Sequence, residues 1–121
     1  MIEGIGIDII ELAHMQGVLD KSPRIYQKFL TPKEVGVYKT YNKQRQLEFL
    51  AGRFAAKEAF SKAMGTGIGK RATFQNITVL NDEKGAPYIE ESPFFGKIHL
   101  SISHSQKMAV AQVILENISI G

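Results

Sequence analysis

The stretch 47–64, LEFLAGRFAAKEAFSKAM, constrains the fold of this chain more than any other feature. It is rich in alanine and straight-chain residues and contains no proline, and Gly65 follows it, so it predicts one helix that ends at Met64. Apolar side chains occupy opposite sides of this helix, and a helix that is apolar all round is mostly buried. Its small residues at positions 51, 52, 55 and 56 leave room for another element to come close.

Glu58 is the unusual residue of this helix, because it falls inside the apolar arc, between the directions of Phe54 and Ala51. A buried carboxylate is costly unless it is paired or binds a cation. The simplest partner is Lys62, one turn later, which would make an ordinary helix ion pair. A second acid elsewhere in the chain would instead indicate a metal site.

The alternating segment Ile2–Ile10 supplies that second acid. It predicts a β-strand with three isoleucines on one face and with Gly4, Gly6 and Asp8 on the other. The glycines allow another group to approach the carboxylate closely. Asp8 could equally cap the following helix, which is a common use of aspartate.

The other segments predict a mixture of short helices and strands. Helices are expected over Glu11–Lys21, from Ser22 as N-cap, and from the capping box Thr31–Glu34 to about Tyr41. Strands are expected over Phe74–Leu80 and Pro87–Glu90, and over Lys97–Ser103 and Met108–Leu115 as a hairpin. Residues 116–121 are expected to be frayed.

Composition narrows the class of protein. The absence of cysteine excludes disulfides and thiolate metal sites and fits a reducing cytoplasm. The first residues show no basic segment or long apolar run, so neither a signal peptide nor a membrane span is expected. The net charge of +3 and the pI near 9.2 indicate an anionic partner, either a nucleic acid, a nucleotide or an acidic protein. The length of 121 residues predicts a single domain, 1–121.

Asp8 and Glu58 together suit a hard cation. Oxygen ligands without cysteine or a histidine cluster suit Mg²⁺, which often binds one or two carboxylates together with substrate phosphates. Arg53 and Lys62 could hold those phosphates. His104 lies next to two serines at a hairpin tip, which is not a catalytic triad because adjacent strand residues face apart.

The glycine-rich segment Gly65–Arg71 does not fit the usual phosphate loops. Its spacing is too short, and no serine or threonine follows Lys70. It also follows a helix, whose C-terminus repels anions. The segment therefore predicts a turn after the helix, whose basic residues could still meet phosphates as charges.

Three blocks of the chain resemble the holo-[acyl-carrier-protein] synthase family, the short bacterial type of 4′-phosphopantetheinyl transferase. They are GIGIDIIE at 4–11, EFLAGRFAAKEAFSKA at 48–63 with GTG at 65–67, and SISHS at 101–105. The resemblance implies an α+β fold with an antiparallel sheet, one long buried helix and a trimeric assembly whose sites lie between neighbouring subunits.

The resemblance also implies the reaction. Such enzymes transfer the 4′-phosphopantetheine arm of coenzyme A to a serine of apo-acyl carrier protein, release adenosine 3′,5′-bisphosphate and support fatty acid biosynthesis in the cytoplasm. The implied partners are coenzyme A and acyl carrier protein, with neither nucleic acid nor membrane. The family pattern places Mg²⁺ on Asp8 and Glu58, and it assigns catalysis to these two acids and Lys62. It places coenzyme A near Arg53, Lys62, Gly65 and His104. The base that takes the serine proton stays open between Glu58 and a water molecule.

One departure from the family pattern concerns the carrier protein. Ala13-His14 stands where well-known relatives carry an arginine that contacts an acidic residue of the carrier. His14 could replace it only when protonated. Docking is therefore expected to rely more on Lys21 and Arg24, with Ile25 or Tyr26 as an apolar anchor.

Two other functions use some of the same residues. A metal-dependent phosphodiesterase acting on nucleotides would use the two acids without an acceptor protein. A non-catalytic nucleic-acid-binding module would need stacking aromatic residues on a basic sheet face, for which Phe74 and Tyr88 are too few.

Overall fold

The computed structural model describes residues 1–118. Residues 119–121, the last of the predicted domain and of the segment predicted to be frayed, lie outside the described residues. Glu116, the first residue of that segment, is the last residue of a strand. The elements are β1 (Ile2–Glu11), α1 (Leu12–Lys21), α2 (Tyr26–Phe29), α3 (Pro32–Tyr38), α4 (Lys43–Ala63), β2 (Thr78–Asn81), β3 (Pro87–Glu91), β4 (Lys97–His104) and β5 (Met108–Glu116). This arrangement confirms the predicted α+β class. No helix of residues 1–118 is both long and apolar enough to cross a membrane.

The main sheet is antiparallel, with strand order β1-β5-β4, and β2 and β3 form a separate antiparallel pair. The predicted hairpin is present as β4 and β5, in which Ser103 pairs with Val110. Alternate residues of β5 are fully buried and face α4, namely Ala109, Ala111, Val113 and Leu115. The sheet therefore covers α4 with one face.

Helix α4 is the buried centre of the molecule, as its composition predicts. It begins earlier than the apolar pattern indicates, because the Asn42 side chain accepts a hydrogen bond from the Arg45 N–H at 2.9 Å and caps the helix. It ends at Ala63, and Gly65 takes a φ of +80°, a conformation that favours glycine. Its small residues let the strands approach, since Ala51, Ala55 and Ala56 are fully buried.

The two glycines of β1 allow the strand to lie directly on the backbone of α4. A Cβ at Gly4 would lie 1.9 Å from the Ala63 carbonyl oxygen, and one at Gly6 would lie 1.8 Å from that of Ala59. The group that approaches this face is therefore the helix itself. The opposite face of β1 carries an isoleucine row, Ile5, Ile7 and Ile9, whose members are 58–60% exposed in the single chain.

The predicted starts at Ser22 and Phe74 were wrong, because turns replace the first residues of those two elements. The Ser22 carbonyl accepts a hydrogen bond from the Ile25 N–H, so Ser22 starts a turn and α2 begins only at Tyr26. Strand β2 begins at Thr78, because the Asn76 side chain closes a turn with the Thr73 N–H at 2.9 Å.

Among residues 1–118, the fully buried charged side chains are those of Lys57 and Glu34. Glu58 is only partly buried, so the expectation that it is the buried charge was wrong. The Lys57 Nζ donates to Glu34 Oε1 at 2.6 Å and to the carbonyls of Phe29 and Phe74 at 2.8 Å each. Glu34 is the acid of the predicted capping box, and it accepts the Thr31 N–H at 2.8 Å. This ion pair joins α2, α3, α4 and the segment before β2.

Candidate active site

Strand β1 brings Asp8 to the C-terminal half of α4, where it meets Lys62. The Lys62 Nζ lies 3.0 Å from Asp8 Oδ1 and 3.1 Å from the Ile7 carbonyl oxygen. A side chain on a helix points towards the helix N-terminus, so Lys62 reaches back along α4 to the strand. The acid that pairs with Lys62 is therefore Asp8, and the helix ion pair with Glu58 is not formed.

Glu58 lies on the same side of α4 and is only partly exposed. Its pKa is raised above the ordinary value, chiefly by burial and then by the negative charge of Asp8, while Lys62 opposes both effects. Because Lys62 lies one turn after Glu58 on α4 and its ammonium contacts Asp8, the two acids, which we call the acid pair, lie at the same end and on the same side of α4. Two like charges in this position are stabilised by a cation between them.

The acid pair fits Mg²⁺ better than it fits zinc. Within residues 1–118, no group of three or more histidine, cysteine, aspartate or glutamate side chains converges on one point. A structural or catalytic zinc site needs three or four such ligands. Mg²⁺ binds through one or two carboxylates and takes its other ligands from water and substrate phosphates.

Arg53 belongs to a different part of the molecule. It lies nine positions before Lys62 on α4, which at about 100° per residue places the two side chains on opposite sides of the helix. Its guanidinium is buried, lies 4.1 Å from the centroid of the Phe49 ring, and donates to the Val79 carbonyl and the Asn81 side chain. Burial lowers the pKa of Arg53 to about 10, so it stays a cation at neutral pH.

Arg53 and His104 line one cavity of about 200 Å³, which we call the arginine cavity. Its other lining residues are Arg45, Glu48, Phe49, Gly52, Asn81, Gly85, Pro87 and Ile102. The sequence reasoning missed Arg45, whose position two turns before Arg53 on the same helix is the signal that could have identified it. Two arginines and a histidine at one cavity favour an anionic ligand such as a phosphate.

Gly65 lies at the Lys62 end of α4, where the Gly65 N–H donates to the Lys62 carbonyl at 2.9 Å. The sequence-predicted residues therefore form two groups in one chain. Asp8, Glu58, Lys62 and Gly65 lie where β1 meets the last turns of α4, and none of them lines the arginine cavity.

Comparison with known proteins shows close relatives over nearly the whole chain. The family model described as the 4′-phosphopantetheinyl transferase superfamily matches residues 4–115. A holo-[acyl-carrier-protein] synthase from Enterococcus faecalis is 50% identical over 117 residues, which cover 97% of this chain and 99% of that protein. One from Streptococcus uberis is 52% identical over 116 residues, covering 96% of this chain and 98% of that protein.

Solved structures agree with these relatives. A holo-(acyl-carrier-protein) synthase from Bacillus anthracis in complex with CoA (3′,5′-ADP) matches with a TM-score of 0.91 and 52% identity, covering 98% of this chain and 99% of that chain. A Helicobacter pylori synthase in complex with coenzyme A matches with a TM-score of 0.81 and 34% identity, covering 93% and 99% of the two chains.

Proposed function

This chain belongs to the 4′-phosphopantetheinyl transferase superfamily, and on that premise we propose that Asp8, Glu58 and Lys62 form the centre at which it transfers phosphopantetheine. It acts as a holo-[acyl-carrier-protein] synthase: it moves the 4′-phosphopantetheine arm of coenzyme A to a serine of apo-acyl carrier protein. The other product is adenosine 3′,5′-bisphosphate, and the modified carrier serves fatty acid biosynthesis. The observation that carries the site is the contact of Lys62 with Asp8 beside Glu58.

Residues of this chain can accept the proton that the carrier serine loses and can hold the phosphate that leaves. The carrier serine oxygen forms a bond to phosphorus, the bond from phosphorus to the adenosine bisphosphate oxygen breaks, and the serine proton goes to a base. Glu58, or a water molecule beside the acid pair, would accept that proton. Lys62 steadies the phosphate that leaves. Mg²⁺ held by Asp8 and Glu58 would neutralise charge on the pyrophosphate.

The arginine cavity supplies the second half of the donor site. Arg45 and Arg53 provide positive charge for the phosphate and ribose end of coenzyme A, and His104 lines the same cavity. Because this cavity and the acid pair lie on different sides of α4, one coenzyme A would reach both only where two chains meet. We therefore place the complete site between neighbouring subunits of a homotrimer. Each subunit is a single domain, 1–121, and the trimer acts in the cytoplasm.

The reaction is tested by incubating the chain with apo-acyl carrier protein, coenzyme A and Mg²⁺ and measuring the carrier by mass spectrometry. We expect a mass increase equal to one phosphopantetheine group and release of adenosine 3′,5′-bisphosphate. A carrier whose acceptor serine is replaced by alanine is the control and should stay unmodified. Cleavage of coenzyme A with no change in the carrier would instead favour the nucleotide phosphodiesterase.

The isoleucine row is the surface that we assign to the trimer. Ile5 pairs with Ile114 of β5 and Ile9 pairs with Val110, so apolar side chains continue across the sheet on both sides of the Ile7–Gln112 pair. Such a patch on an exposed sheet face is typical of an interface between subunits.

Replacing Ile7 by lysine should convert the trimer to monomers of 13.5 kDa in light scattering and remove most activity. Ile118→Lys, which changes an exposed isoleucine outside the sheet, should stay trimeric; equal behaviour of both variants would refute this interface.

The carrier is expected to dock on the turn between α1 and α2. Lys21, Arg24 and Lys28 are exposed there, and Arg24 and Lys28 line an open cavity of about 680 Å³ together with Ile25. A basic rim around an apolar residue suits an acidic helix of the carrier. His14 is exposed on the preceding helix and adds charge only when protonated.

Replacing Arg24 by glutamate should therefore raise the KM for carrier by about tenfold, which corresponds to about 1.4 kcal/mol. The KM for coenzyme A should change little, because Arg24 is not part of the acid pair or the arginine cavity. Lys39→Glu, the same charge reversal at the exposed end of α3, is the matched control. Equal changes in both Michaelis constants would contradict the docking role.

A further inference from the structure

Lys62 occupies the same carboxylate that the proposed function assigns to the divalent cation. Its ammonium lies 3.0 Å from Asp8 Oδ1, and the Asp8 side chain is only 16% exposed. A cation that binds this carboxylate would come within a few ångströms of the ammonium, where charges of the same sign repel strongly. The two cations therefore compete for Asp8.

We infer that Lys62 acts as a resident counter-ion of Asp8, and that the divalent cation binds tightly only when a phosphate of coenzyme A draws Lys62 away. This inference rests on the proposed function, because it takes the acid pair as the metal site. It gives Lys62 a positioning role before the chemical step: its ammonium couples binding of the metal to binding of the donor.

The contacts of Lys62 allow such a movement, as a comparison with Lys57 shows. Lys57 is fully buried and places its ammonium against three oxygen atoms, so all of its donors are used. Lys62 meets two oxygen atoms, and its side chain is 52% exposed. It therefore keeps one N–H donor for a phosphate and has the freedom to follow it.

The coupling has a thermodynamic consequence. If coenzyme A tightens metal binding by some factor, the metal must tighten coenzyme A binding by the same factor. Removing the ammonium should strengthen binding of the metal alone and weaken this coupling. If Lys62 bound phosphate but did not compete for Asp8, its removal would not strengthen binding of the metal alone.

The test measures Mn²⁺ binding to the full chain by electron paramagnetic resonance, without carrier protein, so that no turnover occurs. The variants are Lys62→Met and Lys62→Gln, each with and without coenzyme A. Lys33→Met is the matched control, because Lys33 forms an exposed pair with Glu90 and its loss changes the net charge equally. Asp8→Asn shows whether the measured ion sits on the acid pair, and circular dichroism confirms that each variant is folded.

Without coenzyme A, both Lys62 variants should bind Mn²⁺ about tenfold more tightly than the parent chain, while Lys33→Met should not. Coenzyme A should tighten Mn²⁺ binding clearly in the parent chain and much less in the Lys62 variants. Unchanged or weaker Mn²⁺ binding in the Lys62 variants overturns the inference while the metal site stands. Mn²⁺ binding that Asp8→Asn does not weaken overturns the inference and the proposed metal site together.

Discussion

Replacing Asp8 by asparagine should lower kcat for carrier modification by about a thousandfold, which corresponds to about 4 kcal/mol of transition-state stabilisation. The change keeps the shape of the side chain and the pairing of residue 8 with Ala111 in the sheet. It removes the negative charge that meets Lys62 and neighbours Glu58, and hence half of the proposed metal site. The loss should appear in kcat at saturating substrates, because this group acts on the bond that breaks.

Asp20→Asn is the matched control for this experiment. Asp20 is exposed on α1 and bonds only to Gln16 among the side chains of residues 1–118. Its replacement should leave kcat within about twofold of the parent value, and both variants should unfold at the same denaturant concentration as the parent. An Asp8→Asn enzyme that keeps more than about a tenth of the parent kcat would show that Asp8 is not essential to the reaction.

Replacing Lys57 by methionine should destabilise the fold by about 3–5 kcal/mol, because it leaves the Glu34 carboxylate buried without its partner. Glu34 is fully buried, and its remaining hydrogen bonds come from the Thr31 and Val79 N–H groups. A small domain has a total stability of only about 5–15 kcal/mol, so this loss is large. Urea unfolding followed by circular dichroism, at one protein concentration for all variants, measures it.

Two further variants distinguish the stability that the buried Lys57–Glu34 pair provides from the effect of removing any lysine charge. Lys33→Met removes the exposed partner of Glu90 and should change the unfolding midpoint little, because an exposed ion pair is screened by solvent. The double variant Lys57→Met, Glu34→Leu should be more stable than Lys57→Met alone, because it removes the unpaired charge. A Lys57→Met protein as stable as Lys33→Met would mean that the buried pair does not hold these elements together.

The elements of this chain that depend on near neighbours are predictable from its sequence. The α4 helix, the β1 strand and the capping box at Thr31 follow from local patterns, since each depends on neighbours within a few residues. The family, fold class and reaction inferred from the sequence blocks are confirmed by the relatives. The roles of the individual site residues remain predictions.

The burial and the partners of the charged residues were less predictable than the burial of the apolar ones. Glu58 and Lys57 are adjacent on α4, and the pattern of one helix does not say which of its sides meets a polar partner. Lys57 is buried only because Glu34 and two carbonyl groups from other segments surround it. Lys62 pairs with Asp8, 54 positions away, and not with Glu58 one turn away.

The sequence by itself determined the long buried helix, the alternating strands and the residue types of the candidate site, because periodicity and backbone hydrogen bonding act over short distances. Only the tertiary structure decided which charges are buried, which acid Lys62 meets, and that Arg53 and Lys62 belong to different surfaces. These outcomes depend on contacts between residues far apart in the chain, and electrostatic energies change steeply with distance and burial.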